Sequence, residues 1–388
     1  MNRARAWLWP TLGLLTVGVA LSVIGMRYAP VEQACAYLAA FGFVASSVVG
    51  GLALLAITYV VGARWFVVLR RLGLGLAAPA AVLPILFLPV ALSVALIYPW
   101  AGAPMASAEA VVAAHRAQIF GRPWMSAGPF FVRAALYLLV WVVIAEILRR
   151  AARAQDRGMA SWFLTRRSAV SAAALPALGL TGSWAAFDWL MSAVPGWNMT
   201  SVGLYVLTGG FASALGVLAV VVERARRHGM LPKEVGAAHS LALGRLLFAA
   251  VCLWAYIAVS QLIIVWIANV PAEAAFYVPR ARGAWRYLAA LLLGGHFIVP
   301  FLLLLSRTWK ERTAFVAGLG GWIVVMHAVD MYWLIAPSAS PEPSVLGLGP
   351  FLVLGALSLV TGIARSSSDP AFPARDPDLA RSLGYESP

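Results

Sequence analysis

The chain has 388 residues, of which 62% are hydrophobic and only 11% charged, with a mean hydropathy of +0.84. A water-facing surface needs far more charge than that, which excludes a soluble domain. The formal net charge of +14 resides in short loops between apolar runs, where basic residues set membrane orientation, so it calls for no nucleic-acid partner.

Apolar stretches of about 20 residues cross a bilayer core as a helix, and ten such stretches follow one another here. They run Trp7–Met26, Ala34–Val61, Ala78–Tyr98, Pro129–Leu148, Ser168–Met191, Ser201–Val222, Leu243–Val270, Arg286–Leu305, Thr313–Leu334 and Leu346–Ile363. Backbone amides in lipid must be satisfied within the segment, and the in–out alternation of a membrane β-barrel is absent. The expected fold is therefore all-α, a polytopic membrane protein with about ten transmembrane helices. Residues 1–365 read as a single integral membrane domain. Residues 366–388, poor in apolar side chains and rich in proline, read as an unstructured tail. Arg3 and Arg5 precede the first run, but no small-residue cleavage site follows it, so it reads as an uncleaved span.

Both tails and the even-numbered loops together hold 21 Lys and Arg, against 6 in the odd-numbered loops. That asymmetry predicts that both termini are cytoplasmic. The Arg149–Arg167 loop then lies inside, where its charge suits anionic headgroups or an acidic partner. The Ala101–Gly128 loop lies outside and includes a helix-like piece, AEAVVAAHRAQIF. The two cysteines, Cys35 and Cys252, belong to no CxxC or CxxCH motif, so ligands for an iron–sulfur cluster or covalent haem are missing.

Ionisable residues within the spans are few: Arg133, Glu146, Asp188, Arg245, His296, His327 and Asp330. An aspartate at the centre of a membrane helix costs roughly 2.5 to 3.5 kcal/mol, so Asp188 in TGSWAAFDWLMSAVPGWNMT should point into the protein. It reads either as a helix-locking acid paired to an Arg or Trp N–H, or as part of a proton relay. In MHAVDMYW, His327 and Asp330 are three residues apart on one helix face, which suits proton transfer or a helix clamp alike. His296 follows Gly294-Gly295, where a neighbouring helix or a flat ligand could approach closely. Its depth is expected to differ from that of His327, which argues against a haem held between the two. The seventh span is interrupted by Tyr256, Ser260, Gln261 and Asn269. Together these residues suggest an outer proton half-pathway of Asp188, His327 and Asp330, with Tyr256 and Gln261 nearby, Arg133 at the outer rim, His296 leading inward and Glu146 near the inner surface.

Four separated segments, RPWMSAGPFFVRAALYLLVW (122–141), AAFDWLMSAVPGW (185–197), GRLLFAAVCLWAYIAVSQLIIVWIANVPAE (244–273) and HAVDMYWLIAP (327–337), resemble in order the ActF-type membrane subunit, or quinone-binding subunit 2, of bacterial alternative complex III. The chain departs from that family's pattern at Ser126–Gly128, Gly196–Thr200 and Leu262. The resemblance implies two four-helix bundles with flanking helices, as in the membrane subunits of polysulfide and nitrite reductases. It implies a subunit of a quinol:cytochrome c oxidoreductase in the bacterial inner membrane, anchoring the complex and offering a proton pathway. It places haem c and iron–sulfur clusters in partner subunits and none in this chain, with quinol as the reductant. The implied partners are a sister quinol-site membrane subunit, a multihaem cytochrome c and an iron–sulfur subunit. The rival readings are a proton-coupled secondary transporter and a purely structural scaffold.

Overall fold

The computed structural model describes residues 2–101, 124–159, 162–194, 197–366 and 370–386. Every regular element among them is helical. Among the described residues nine helices are long and apolar enough to cross a membrane, and a bent pair, taken as one span, brings the number to ten. The helix-like piece expected at 108–120 and the Pro195-Gly196 break lie outside the described residues.

The second span (Pro30–Val60) and the sixth (Val202–Arg227) are the most enclosed, with 78% and 72% of their apolar windows buried. They pack on each other at the centre of the molecule. A membrane offers no hydrophobic drive between helices, so close backbone approach matters, and small residues permit it. Gly50 and Gly210 meet at this crossing: a Cβ on Gly50 would lie 2.6 Å from the Gly210 carbonyl oxygen.

Around this pair the spans divide into two groups. The second, third, fourth (Ala127–Asp156) and fifth (Trp162–Ala185) pack together. So do the sixth, seventh (Ala237–Ala268), eighth (Trp285–Leu305) and ninth (Thr313–Ile335). The first span (Asn2–Tyr28) pairs with the tenth (Leu348–Ser366), and this pair flanks the second. The architecture is two four-helix bundles with a flanking pair.

The third span differs from the continuous helix expected over Ala78–Tyr98. It begins earlier, at Arg64, and is broken into short helical pieces with a 45° bend between Arg64–Ala81 and Leu83–Leu92. Pro79, Pro84 and Pro89 recur every five residues. Each removes an amide donor and crowds the preceding turn, so no long α-helical ladder can form.

The tail also differs from expectation. Over 370–386 it carries a short helix, Leu379–Leu383, and lies against the basic end of the bundles. Asp376 accepts from Arg70 at 2.6 Å, and the Ser382 hydroxyl accepts from the Val68 amide at 3.1 Å. His239, at the start of the seventh span, contacts the Ser382 carbonyl oxygen through Nε2 at 3.0 Å. Asp376 and Ser382 are buried. Polar anchoring of this kind leaves no trace in hydropathy.

Candidate functional site

Each bundle encloses one aspartate, and the two are handled differently. In the first bundle the fifth span passes from α-helix into a π-helical turn, Ala186–Leu190, which carries Asp188. The wider turn is a common device at functional positions. Asp188 is 2% exposed. Arg133 of the fourth span meets it with two bonds, Nε to Oδ2 at 2.7 Å and Nη2 to Oδ1 at 2.9 Å. Tyr137, one turn further along the fourth span, donates to Oδ2 at 2.8 Å. Arg133 also donates to the Trp124 carbonyl and lies over that indole, 4.2 Å from its centroid. Both carboxylate oxygens thus have donors, one of them a guanidinium in the fork geometry that suits a carboxylate. Trp189, the next residue, packs among Phe41, Phe87, Tyr137 and Trp141.

In the second bundle Asp330 is fully buried, and among the described residues no Arg or Lys pairs with it. Tyr205 of the sixth span donates to Oδ1 at 2.5 Å, and Trp254 Nε1 of the seventh donates to Oδ2 at 3.1 Å. His327, one turn earlier on the ninth span, holds Nδ1 4.0 Å from Oδ2, too far for a direct hydrogen bond. Its Nε2 lies 2.9 Å from the Ser46 hydroxyl of the second span. Gly209 makes room for this imidazole, since a Cβ there would lie 2.7 Å from Nδ1. His296, within the π-helical stretch Leu292–Ile298, stacks on Trp254 with ring centroids 3.9 Å apart. Its centroid is 6.5 Å from that of His327. His296 is fully buried, and neither ring nitrogen has a hydrogen-bond partner among the described residues. Asp330, His327 and His296 therefore lie in one buried cluster, with Trp254 bonded to the carboxylate and stacked on His296. The two imidazoles, expected at different depths, are near neighbours, tilted by 54° with 6.5 Å between ring centroids.

Arg280 fixes the far end of the ninth span. It donates to the carbonyls of Phe276, Trp333 and Leu334 at 2.5, 3.1 and 2.5 Å. Burial pushes the neighbouring Tyr277 phenol up to about 12.

The remaining expected residues fall elsewhere. Asp188 and Arg133 form their own network, which shares no residue with that of Asp330. The residues anticipated as one outer relay, Asp188, His327 and Asp330, fall into two hydrogen-bond groups among the described residues. Tyr256 is 71% exposed and faces outward. It follows Trp254 by two residues, roughly 200° around the helix, so the two cannot share a face. Gln261 is half-buried and follows Trp254 by seven residues, about two turns, so it shares that face of the helix. Asn269 does not line the seventh span but ends it, in a left-handed conformation at φ 50°. Glu146 pairs locally with Arg149 and Arg150 at 3.1 and 2.8 Å, near the basic end.

Sequence reading missed Tyr137, Tyr205 and Ser46. Tyr137 carried a signal, being four residues from Arg133 and so on its face. Tyr205 and Ser46 come from other spans, and only packing reveals them. Comparison of the chain with protein-family models gives no match, and comparison with curated proteins gives none.

Proposed function

We propose that this chain is an integral membrane subunit of a quinol-oxidising assembly of the alternative complex III type, and that its His296–His327–Asp330 pocket handles protons there. The observation that supports this most is how the four resembling segments pair in space. Segment 122–141 meets segment 185–197 through Arg133, Tyr137 and Asp188. Segment 244–273 meets segment 327–337 through Trp254 and Asp330. The two-bundle arrangement also agrees with what the resemblance implies. In this reading Asp188–Arg133 is a helix clamp, and Asp330 with its two histidines is the chemical centre. Haem c and iron–sulfur clusters belong to partner subunits, quinol is the reductant, and the chain sits in the bacterial inner membrane with both termini cytoplasmic.

The test is purification of the tagged chain from its native membranes in mild detergent. Co-elution with a multihaem cytochrome and an iron–sulfur subunit, together with quinol-dependent reduction of cytochrome c, supports the reading. A second reading, a proton-coupled transporter, draws on the broken third span, because interrupted helices near the membrane centre build substrate sites in that class. A chain that purifies alone and drives solute uptake in vesicles under an imposed pH gradient would favour it.

A further inference from the structure

At the basic end of the molecule the fourth span stops at Asp156, and the fifth resumes as a candidate span at Thr165. Between these ends lies an open cleft of about 1110 Å³, whose walls include Gln155, Met159, Arg166, Arg167, Ser168 and Arg375. Three guanidiniums line it, and its described lining includes no acidic side chain. Arg166 and Arg167 come from the start of the fifth span. Arg375 comes from the tail, brought across by the buried ion pair of the adjacent Asp376 with Arg70. Arg375 Nη1 reaches the turn after the fourth span, where a Cβ on Gly158 would lie 2.9 Å from it. Arg167 has an acid beside it, Asp378 at 3.5 Å. Among the described residues neither Arg166 nor Arg375 forms an ion pair, and both are exposed.

Like charges gathered on two walls of one cleft repel, and an anion between them relieves that repulsion. Arginine forks suit phosphate oxygens in particular. The cleft lies where two membrane helices end, so it opens at headgroup depth, and basic pockets between helix ends at this level recognise anionic lipid headgroups. Its volume exceeds that of a single phosphate. Met159 and Pro377 give its wall an apolar portion for the glycerol region. We infer that this cleft, completed by the C-terminal tail, is a binding site for the phosphate headgroup of an anionic phospholipid, favouring one that carries two phosphates.

The test uses the full chain, purified in detergent and delipidated, with native mass spectrometry as the readout. The probes are diphosphatidylglycerol, phosphatidylcholine and inorganic phosphate. The wild type should retain diphosphatidylglycerol at one tight site and discriminate against phosphatidylcholine. The double variant Arg166→Gln, Arg375→Gln should bind diphosphatidylglycerol at least about tenfold more weakly. A control variant with the same loss of charge at the same end, Lys233→Gln with Arg312→Gln, should bind as the wild type does. Both positions are exposed, and equal unfolding temperatures in detergent would establish that the variants are intact. Equal weakening in the two variants, or none in the cleft variant, would overturn the site. Saturable inorganic phosphate binding without lipid retention would overturn its assignment to lipid. Arg375→Gln alone should already weaken binding, because it leaves both wall arginines of the fifth span in place and removes only the contribution of the tail.

Discussion

Tyr205 donates its phenolic hydrogen to Asp330 Oδ1 at 2.5 Å, joining the sixth span to the ninth across the core of the second bundle. Trp254 occupies the other oxygen from the seventh span. One carboxyl group thereby ties three helices together, and its proton state is felt by all three. Asp330→Asn keeps the size of the group and an oxygen to accept one of the two bonds, but cannot give up a proton. If the chain works in a quinol-oxidising complex, as proposed above, the expected outcome is an assembled complex in which quinol-linked proton release slows by about 10²-fold or more, in line with loss of a positioned acid–base group. Tyr205→Phe removes one donor and should cost about 1–3 kcal/mol of stability. Proton release per electron, measured in vesicles alongside thermal unfolding, separates the two effects. Normal release in the asparagine variant would remove Asp330 from the pathway.

Asp188 and Arg133 should behave as a clamp. Breaking a buried pair by removing one partner strands the other charge and typically costs 3–5 kcal/mol, whereas removing both costs much less. Asp188→Asn and Arg133→Gln should each lower the unfolding temperature, and the double variant should recover a large part of the loss. A double-mutant cycle of stability in detergent measures this directly. Additive losses would mean that the pair is not coupled.

The membrane class, nine of the ten spans and the two buried acids were legible because lipid forbids unpaired backbone and charge. Tyr256 sits two residues from Trp254 and so on another face of the seventh span, and its spacing alone does not show that this face points outward. The breaks in the third span were written in the five-residue recurrence of proline. The docked tail was not legible at all, because one buried ion pair and one buried hydroxyl weigh nothing in a hydropathy average.

Gly209→Ala should disturb the site more than its single added methyl suggests. The new Cβ would press on the His327 imidazole, which Ser46 holds from the other side. Overpacking of this sort costs about 1–3 kcal/mol. Gly128, at the exposed start of the fourth span, has open space around it, and alanine there should be neutral or stabilising by about 0.5–1 kcal/mol. Comparing the two unfolding temperatures tests the claim, and equal effects would count against a tight fit at Gly209.

Asp376→Ala should release the tail. Arg70 is buried against Tyr59, 4.4 Å from the ring centroid, and would be left without its carboxylate. Loss of a buried partner predicts a cost of about 3–5 kcal/mol. Protease cleavage within 370–386 should speed up in the same variant, while the wild-type tail resists cleavage. A wild-type tail cut as fast as the variant would argue against docking.

His296 offers the sharpest separation of stability from activity. Its two ring nitrogens are buried and have no hydrogen-bond partner among the described residues, a condition that costs about 1–3 kcal/mol for each such group. A residue kept for stability alone would not be an imidazole here, because an apolar side chain stacks on Trp254 without that cost. His296→Leu should therefore leave the unfolding temperature unchanged or raise it, since removing an unsatisfied polar group offsets the small change in packing. If the chain belongs to a quinol-oxidising complex, as proposed, and His296 relays protons toward the His327–Asp330 pair, the same variant should slow quinol-linked proton release. His296→Gln retains a hydrogen-bonding side chain but no titrating group, so it should slow release equally without the gain in stability. Stability and proton release are measured on the same preparations. A leucine variant that is clearly destabilised, with normal release per electron, would show that His296 is a packing residue.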